Sequence, residues 1–199
     1  MLGVEMRQVR ARYTDRTITV YQAYPAEIAG AAVAAGRFVA PFKRERMTWI
    51  KPSFLWMMYR SGWATKPGQE RVLAVEIRRD GFEWALANAA LSDFDRDLYP
   101  DHPTWARKVR TSPVRVQWDP ERDVALRRLE YRAIQVGLGG EAVHRYVDEW
   151  ITTIEDVTPL AREIAGLVKS GDLAAASRLL PEERPLELSA AAAAAVGVS

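Results

Sequence analysis

The sequence predicts a single α+β domain, with a mixed, largely antiparallel sheet flanked by helices. Three observations lead there. Strand-like and helix-like segments follow one another without a regular βαβ alternation. No G-x-G-x-x-G or G-x-x-x-x-G-K-[ST] occurs, which argues against Rossmann and P-loop sites. The 199 residues, 48% of them hydrophobic, are enough to bury one core without staples.

The elements follow in order. Residues 7–24 break at Thr14-Asp15 and then read as a strand, because Thr17 to Tyr21 are β-branched or aromatic. Pro25 ends that strand and opens the helix AEIAGAAVAAG, with Gly36 as its C-cap. A loop from Arg37 leads to a short strand at Met47 to Ile50, and Pro52-Ser53 opens a helix that Gly62 stops. VLAVEI is almost continuously apolar, as a central strand would be, and Asp80-Gly81 reads as the turn after it. Residues 82–98 fit a short helix, followed by the loop YPDHPTW. Val114 to Trp118 is a strand closed by Asp119-Pro120, and Glu130 to Leu138 is another. Val143, Val147, Trp150, Ile151 and Ile154 keep helical spacing, predicting a helix over Glu141 to Thr153. Thr158-Pro159 opens one more helix, broken at Ser170-Gly171-Asp172. The alanine-rich end is low in complexity, so residues 1–188 read as the domain and 189–199 as a peripheral or flexible tail.

The absence of cysteine excludes disulfides, thiolate zinc sites and thiol nucleophiles. With only His102 and His144, a multi-histidine metal centre or a Ser-His-Asp hydrolase is not expected. Asp93, Asp95 and Asp97 are spaced like a calcium loop but lack its glycine and later glutamate, so no metal is expected. No apolar run is long enough to span a bilayer, and no secretory leader pattern opens the chain, which makes cytoplasmic the expected address. The net charge of +2 is too small to demand a nucleic-acid partner. Arginine far outnumbers lysine, which favours planar, bidentate contact with phosphate or carboxylate.

The run RMTWIKPSFLWMMYRSGW holds the main candidates. Phe54 to Met58 reads as a buried helix, apolar nearly all round. Its flanks read otherwise: Arg46, Trp49 and Lys51 precede it, and Tyr59, Arg60, Ser61 and Trp63 end it. Cations beside indoles suit a phosphate, a base or a nicotinamide ring. In VYQAY, Gln22 and Tyr24 share one strand face and could hold a carboxamide or ribose hydroxyl, or simply pack. In LEYRAIQVGL, Arg132 and Gln135 either face solvent or need partners. Arg10 and Arg12 project to one side of a strand and are either a solvated edge or a diphosphate clamp.

The blocks RMTWIKPSFLWMMYRSGW, TITVYQAY, QERVLAVEIRRDGFE and YRAIQVGL resemble a bacterial and fungal family known only as a domain of unknown function, over roughly Arg7 to Leu180. The order of elements also resembles the ADP-ribosyltransferase fold, which builds an NAD site from a split pair of antiparallel sheets. That resemblance implies NAD as substrate and ADP-ribosyl transfer to a protein, nucleic-acid or small-molecule acceptor. It places Gln22 where a histidine often stands, Tyr59 and Ser61 beside the nicotinamide, and Glu130 or Gln135 at the glutamate position. If Gln135 holds that position, the carboxylate is missing and binding is favoured over transfer. The rival readings are a non-catalytic nucleotide or RNA module and a structural or interaction protein. The enzyme reading requires a pocket between Gln22, Arg60 and Gln135.

Overall fold

A computed structural model describes residues 6–198. The chain is α+β, with two principal sheets and one small ribbon. The ribbon pairs β1 (Arg10–Ala11) with β9 (Arg184–Pro185). The first sheet has the antiparallel order β2 (Thr17–Tyr24), β4 (Arg71–Arg78), β8 (Ile151–Asp156). The second runs β3 (Thr48–Ile50), β7 (Arg128–Leu138), β6 (Val114–Arg122), β5 (Ala89–Leu91), and only β5–β6 is parallel. Tyr21 and Lys51 exchange backbone hydrogen bonds of 2.7 and 3.2 Å and so tie the two sheets together.

Helix boundaries follow local chemistry. Helix α1 (Ala26–Ala35) starts after Pro25 and ends where Gly36 turns left-handed at φ 67°. In α2 (Phe54–Ser61) the Ser53 hydroxyl accepts from the Trp56 amide, and Gly62 closes the helix at φ 59°. The remaining helices are α3 (Arg79–Ala87), α4 (His102–Thr111), α5 (Glu141–Arg145), α6 (Thr158–Ser170), α7 (Leu173–Arg178) and α8 (Ala190–Val196). As expected, Phe54, Trp56, Met57 and Met58 are buried; Phe54, Met57 and Met58 join Tyr21, Val72 and Ile164 in a core beneath α2. The larger core joins Ile18, Val20, Phe82, Val116, Val136 and Tyr146 between the sheets and their helices.

Five expectations are corrected. Asp80-Gly81 is no turn but lies inside α3; a Cβ on Gly81 would sit 2.5 Å from the Trp150 ring, so close approach explains the glycine. The helix begun at Glu141 passes through a π turn at Tyr146–Trp150 and stops, because the β-branched run Ile151 to Ile154 pairs with β4 instead. Strand β6 continues through Asp119-Pro120, where a bulge near Pro120 accommodates the missing amide proton. The loop before Trp105 contains the start of α4, capped by Asp101, whose carboxylate accepts from the Thr104 amide at 2.7 Å. The alanine-rich end is docked rather than peripheral: Ala192 and Val196 are buried, and Trp118 Nε1 donates to the Val196 carbonyl at 2.9 Å. No helix among the described residues is long and apolar enough to cross a membrane.

Candidate functional site

Strand alternation sorts the second sheet into two faces. Ile50, Val116, Trp118, Ile134, Val136 and Leu138 point into the larger core. On the opposite face Gln117 pairs directly with Gln135, and Trp49 pairs with Gly137. Gly137 lets the Trp49 ring lie flat on the sheet, since a Cβ there would be 3.0 Å from the indole. Lys51, two residues beyond Trp49, continues this polar face. Helix α2 runs beside it and supplies Trp56, Tyr59 and Arg60, which with the sheet enclose a pocket of about 430 Å³. That size falls within the roughly 300–1,000 Å³ range of small-molecule sites.

The pocket is rich in donors. The Trp56 and Tyr59 rings stack 5.1 Å apart at 22°, and the Arg122 guanidinium lies 3.8 Å from the Tyr59 ring centre. Buried Trp56 Nε1 and Arg122 Nε have no hydrogen-bond partner among the described residues. Lys51 is only 7% exposed, and no described residue accepts a hydrogen bond from its Nζ. Burial, reinforced by the Arg60 charge and opposed by Asp119, pulls the Lys51 ammonium down to about 8. Against Lys51, Arg60 and Arg122 the lining offers one carboxylate, Asp119. Its two oxygens accept from Gln117 Nε2 at 2.9 Å and Gln135 Nε2 at 2.6 Å. The net charge of this lining is positive, so it suits an anion with a flat ring.

Of the sequence-predicted residues, Trp49, Lys51, Tyr59, Arg60 and Gln135 come together here. Gln22 does not. It is 2% exposed and its Nε2 donates to Tyr24 Oη (2.8 Å), Thr48 Oγ1 (2.7 Å) and the Trp49 carbonyl (3.3 Å). Its Oε1 accepts from Tyr146 Oη at 2.7 Å, so Gln22 is the centre of a closed network with nothing left for a ligand. Tyr24 belongs to that network, and burial pushes its phenol up to about 12. Ser61 is buried at the end of α2, accepting from the Ala64 amide. Trp63, at φ 56°, packs on the core beneath α2. Glu130, Arg12 and Arg46 are exposed and lie outside this pocket. Arg10 donates to the Glu183 carbonyl at 3.0 Å and lies 5.9 Å from the Tyr131 ring.

Arg132 donates to the Trp118 carbonyl and lines a different, larger cavity of about 870 Å³ beside α8. The basic groups of that cavity are committed, with Arg7 on Asp95 at 2.6 Å, whereas unpaired donors collect in the smaller pocket. Sequence reasoning missed Trp56, Gln117, Asp119 and Arg122. The signal for two of them was present in VQWD, where Gln117 and Asp119 alternate with the apolar Val116 and Trp118. A separate cluster sits at the start of α2: Glu121 accepts from Ser53 Oγ at 2.9 Å, and Glu183 accepts from the Phe54 amide at 2.7 Å. Burial, with Glu121 nearby, pushes the Glu183 carboxyl up to about 8.

Among the described residues no group of three or more His, Cys, Asp or Glu side chains could hold a metal ion. No curated protein matches the chain. Residues 8–186 match DUF4291, a domain of unknown function, and the chain belongs to that family.

Proposed function

We propose that the chain uses a nucleotide, most concretely NAD, bound in the pocket between α2 and the polar face of the second sheet, and transfers its ADP-ribosyl group to an acceptor. One observation carries this reading: Lys51 is a buried cation whose Nζ has no hydrogen-bond acceptor among the described residues, set beside Arg60 and among the Trp49, Trp56 and Tyr59 rings. The cations suit a diphosphate and the rings suit a base or nicotinamide. Breaking the nicotinamide–ribose bond sends the electron pair to the ring nitrogen and leaves positive charge on the ribose. Asp119, the one carboxylate of the lining, is the group to stabilise that charge. The acceptor's nucleophile then bonds to the ribose carbon and loses its proton. The role that the resemblance gave to Glu130 or Gln135 passes in this reading to Asp119, held by Gln117 and Gln135.

The test is titration of NAD by calorimetry, with labelled NAD turned over in the presence of protein, RNA and DNA acceptors. Asp119→Asn should keep NAD binding and lose nicotinamide release. Binding without release by the unaltered chain identifies a non-catalytic nucleotide module. Neither binding nor release retires the proposal.

A further inference from the structure

We infer that Lys51 is an imine-forming amine whose Nζ attacks the carbonyl carbon of a small aldehyde or ketone bearing a phosphate or carboxylate held by Arg60 and Arg122. The inference goes beyond nucleotide binding and does not rest on it.

Placement comes first. Lys51 is the one buried lysine; Lys43, Lys66, Lys108 and Lys169 are all exposed. A buried ammonium with no hydrogen-bond acceptor, and only the Asp119 carboxylate to offset the Arg60 charge, is an unfavourable way to fill space, and an apolar side chain would fill it better. Its Nζ has no acceptor among the described residues, yet the side chain lines a pocket that a small molecule can enter. Desolvation beside a second cation is the setting that activates an amine for attack on carbonyls. Here the second cation is Arg60, and the amine is drawn down to about 8, leaving a usable fraction of free base near neutrality.

The charged and titratable groups facing Lys51 come from two elements. Helix α2 offers Tyr59 and Arg60; strand β6 offers Asp119 and Arg122. The step balances without a redox partner. The Nζ lone pair forms the C–N bond, and the carbonyl oxygen takes a proton to give a carbinolamine. That oxygen then leaves as water while the nitrogen lone pair closes the C=N bond. Asp119 is placed to carry the protons between nitrogen and oxygen. Arg60 and Arg122 would hold the anionic end of the substrate.

The experiment incubates the full chain with pyridoxal 5′-phosphate, pyridoxal or pyruvate below and above pH 8, adds borohydride, and maps adducts by peptide mass spectrometry. The expected result is one dominant reduced adduct, at Lys51, whose yield rises through about pH 8. The phosphate-bearing aldehyde should saturate the site at about tenfold lower concentration than pyridoxal, and Arg60→Gln should shrink that difference while leaving the adduct. Lys51→Arg should abolish it with the circular dichroism spectrum unchanged. Lys51 left unmodified, or modified no faster than the four exposed lysines, overturns the inference. Equal labelling by pyridoxal and its phosphate overturns the anionic substrate class. NAD calorimetry on the same preparation reports on the nucleotide reading separately.

Discussion

Two buried polar clusters meet at the ends of β3, and they are built on opposite terms. Around Thr48, the amide of Gln22 and the hydroxyls of Tyr24, Thr48 and Tyr146 satisfy one another within 2.8 Å. Around Lys51, three residues further on, an ammonium, an indole N–H and a guanidinium N–H find no acceptor among the described residues. A saturated network fixes the mutual position of its strands and helix, and every member depends on the others. An unsaturated one holds donors ready at a cost in stability, as a ligand site does. The difference separates a glutamine that holds strands together from the lysine that we propose binds a ligand.

Breaking the closed cluster should have the larger effect. Gln22→Ala removes the partner of three hydroxyl groups and of the Trp49 carbonyl and leaves them in the core. We expect a loss on the order of 3 kcal/mol in urea unfolding, from unmade hydrogen bonds and the cavity. A loss under about 1 kcal/mol would mean that water replaces the amide and that the network is open after all.

The open cluster should show itself in pH dependence. Folding lowers the Lys51 ammonium from 10.5 to about 8, so between those values the unfolded chain binds more protons and stability rises with pH. The tyrosines Tyr21, Tyr24 and Tyr146 are shifted upward and reverse the trend above their ordinary value of 10.0. The gain is therefore read between about pH 8 and pH 10 and should reach about 2 kcal/mol. Lys51→Met should abolish it. Glu183 behaves oppositely: its carboxyl is raised from 4.5 to about 8, so stability falls as pH climbs through that window, and Glu183→Gln flattens the fall.

Lys51→Met should also sharpen the functional contrast. NAD affinity should drop about tenfold, roughly 1.4 kcal/mol, through loss of the buried cation. Stability at neutral pH should hold or increase, the reverse of Gln22→Ala, because an unpaired buried charge has been removed. Parallel calorimetry and unfolding on the same protein give both values.

Much of this was legible in the sequence. Ser53, Gly36 and Gly62 marked helix ends because caps are local chemistry. Trp49, Lys51 and Arg60 stood out because cations beside indoles are rare in a core. The rest depended on contacts distant in the chain. Gly81 could not be told from a turn glycine without Trp150, 69 residues later, pressing on it. Ile151 and Ile154 fit a helical spacing and a strand equally, and pairing with β4 decided between them. Gln22 and Gln135 looked alike as polar residues on apolar strands. The face each turned to, Tyr146 for one and Asp119 for the other, was set by sheet register.

Trp49 belongs to both clusters, its carbonyl accepting from Gln22 and its indole lining the pocket, so a change that moves only the ring tests whether the clusters are independent. Gly137→Ala is that change. The added methyl would come within 2.8 Å of the Met47 sulfur and 3.0 Å of the Trp49 ring. Met47 is exposed and its thioether can swing aside, whereas the indole has to lift from the sheet. The Trp49 backbone stays in place, because its neighbours keep β3 paired with β7 and its carbonyl faces Gln22 on the other side. We expect a stability loss of about 1 kcal/mol and NAD binding weakened a few-fold. The Gln22→Ala penalty measured in the Gly137→Ala background should be the same as in the parent to within about 0.5 kcal/mol. A larger coupling would show that the closed network positions the ring, and that the structural and functional clusters act as one.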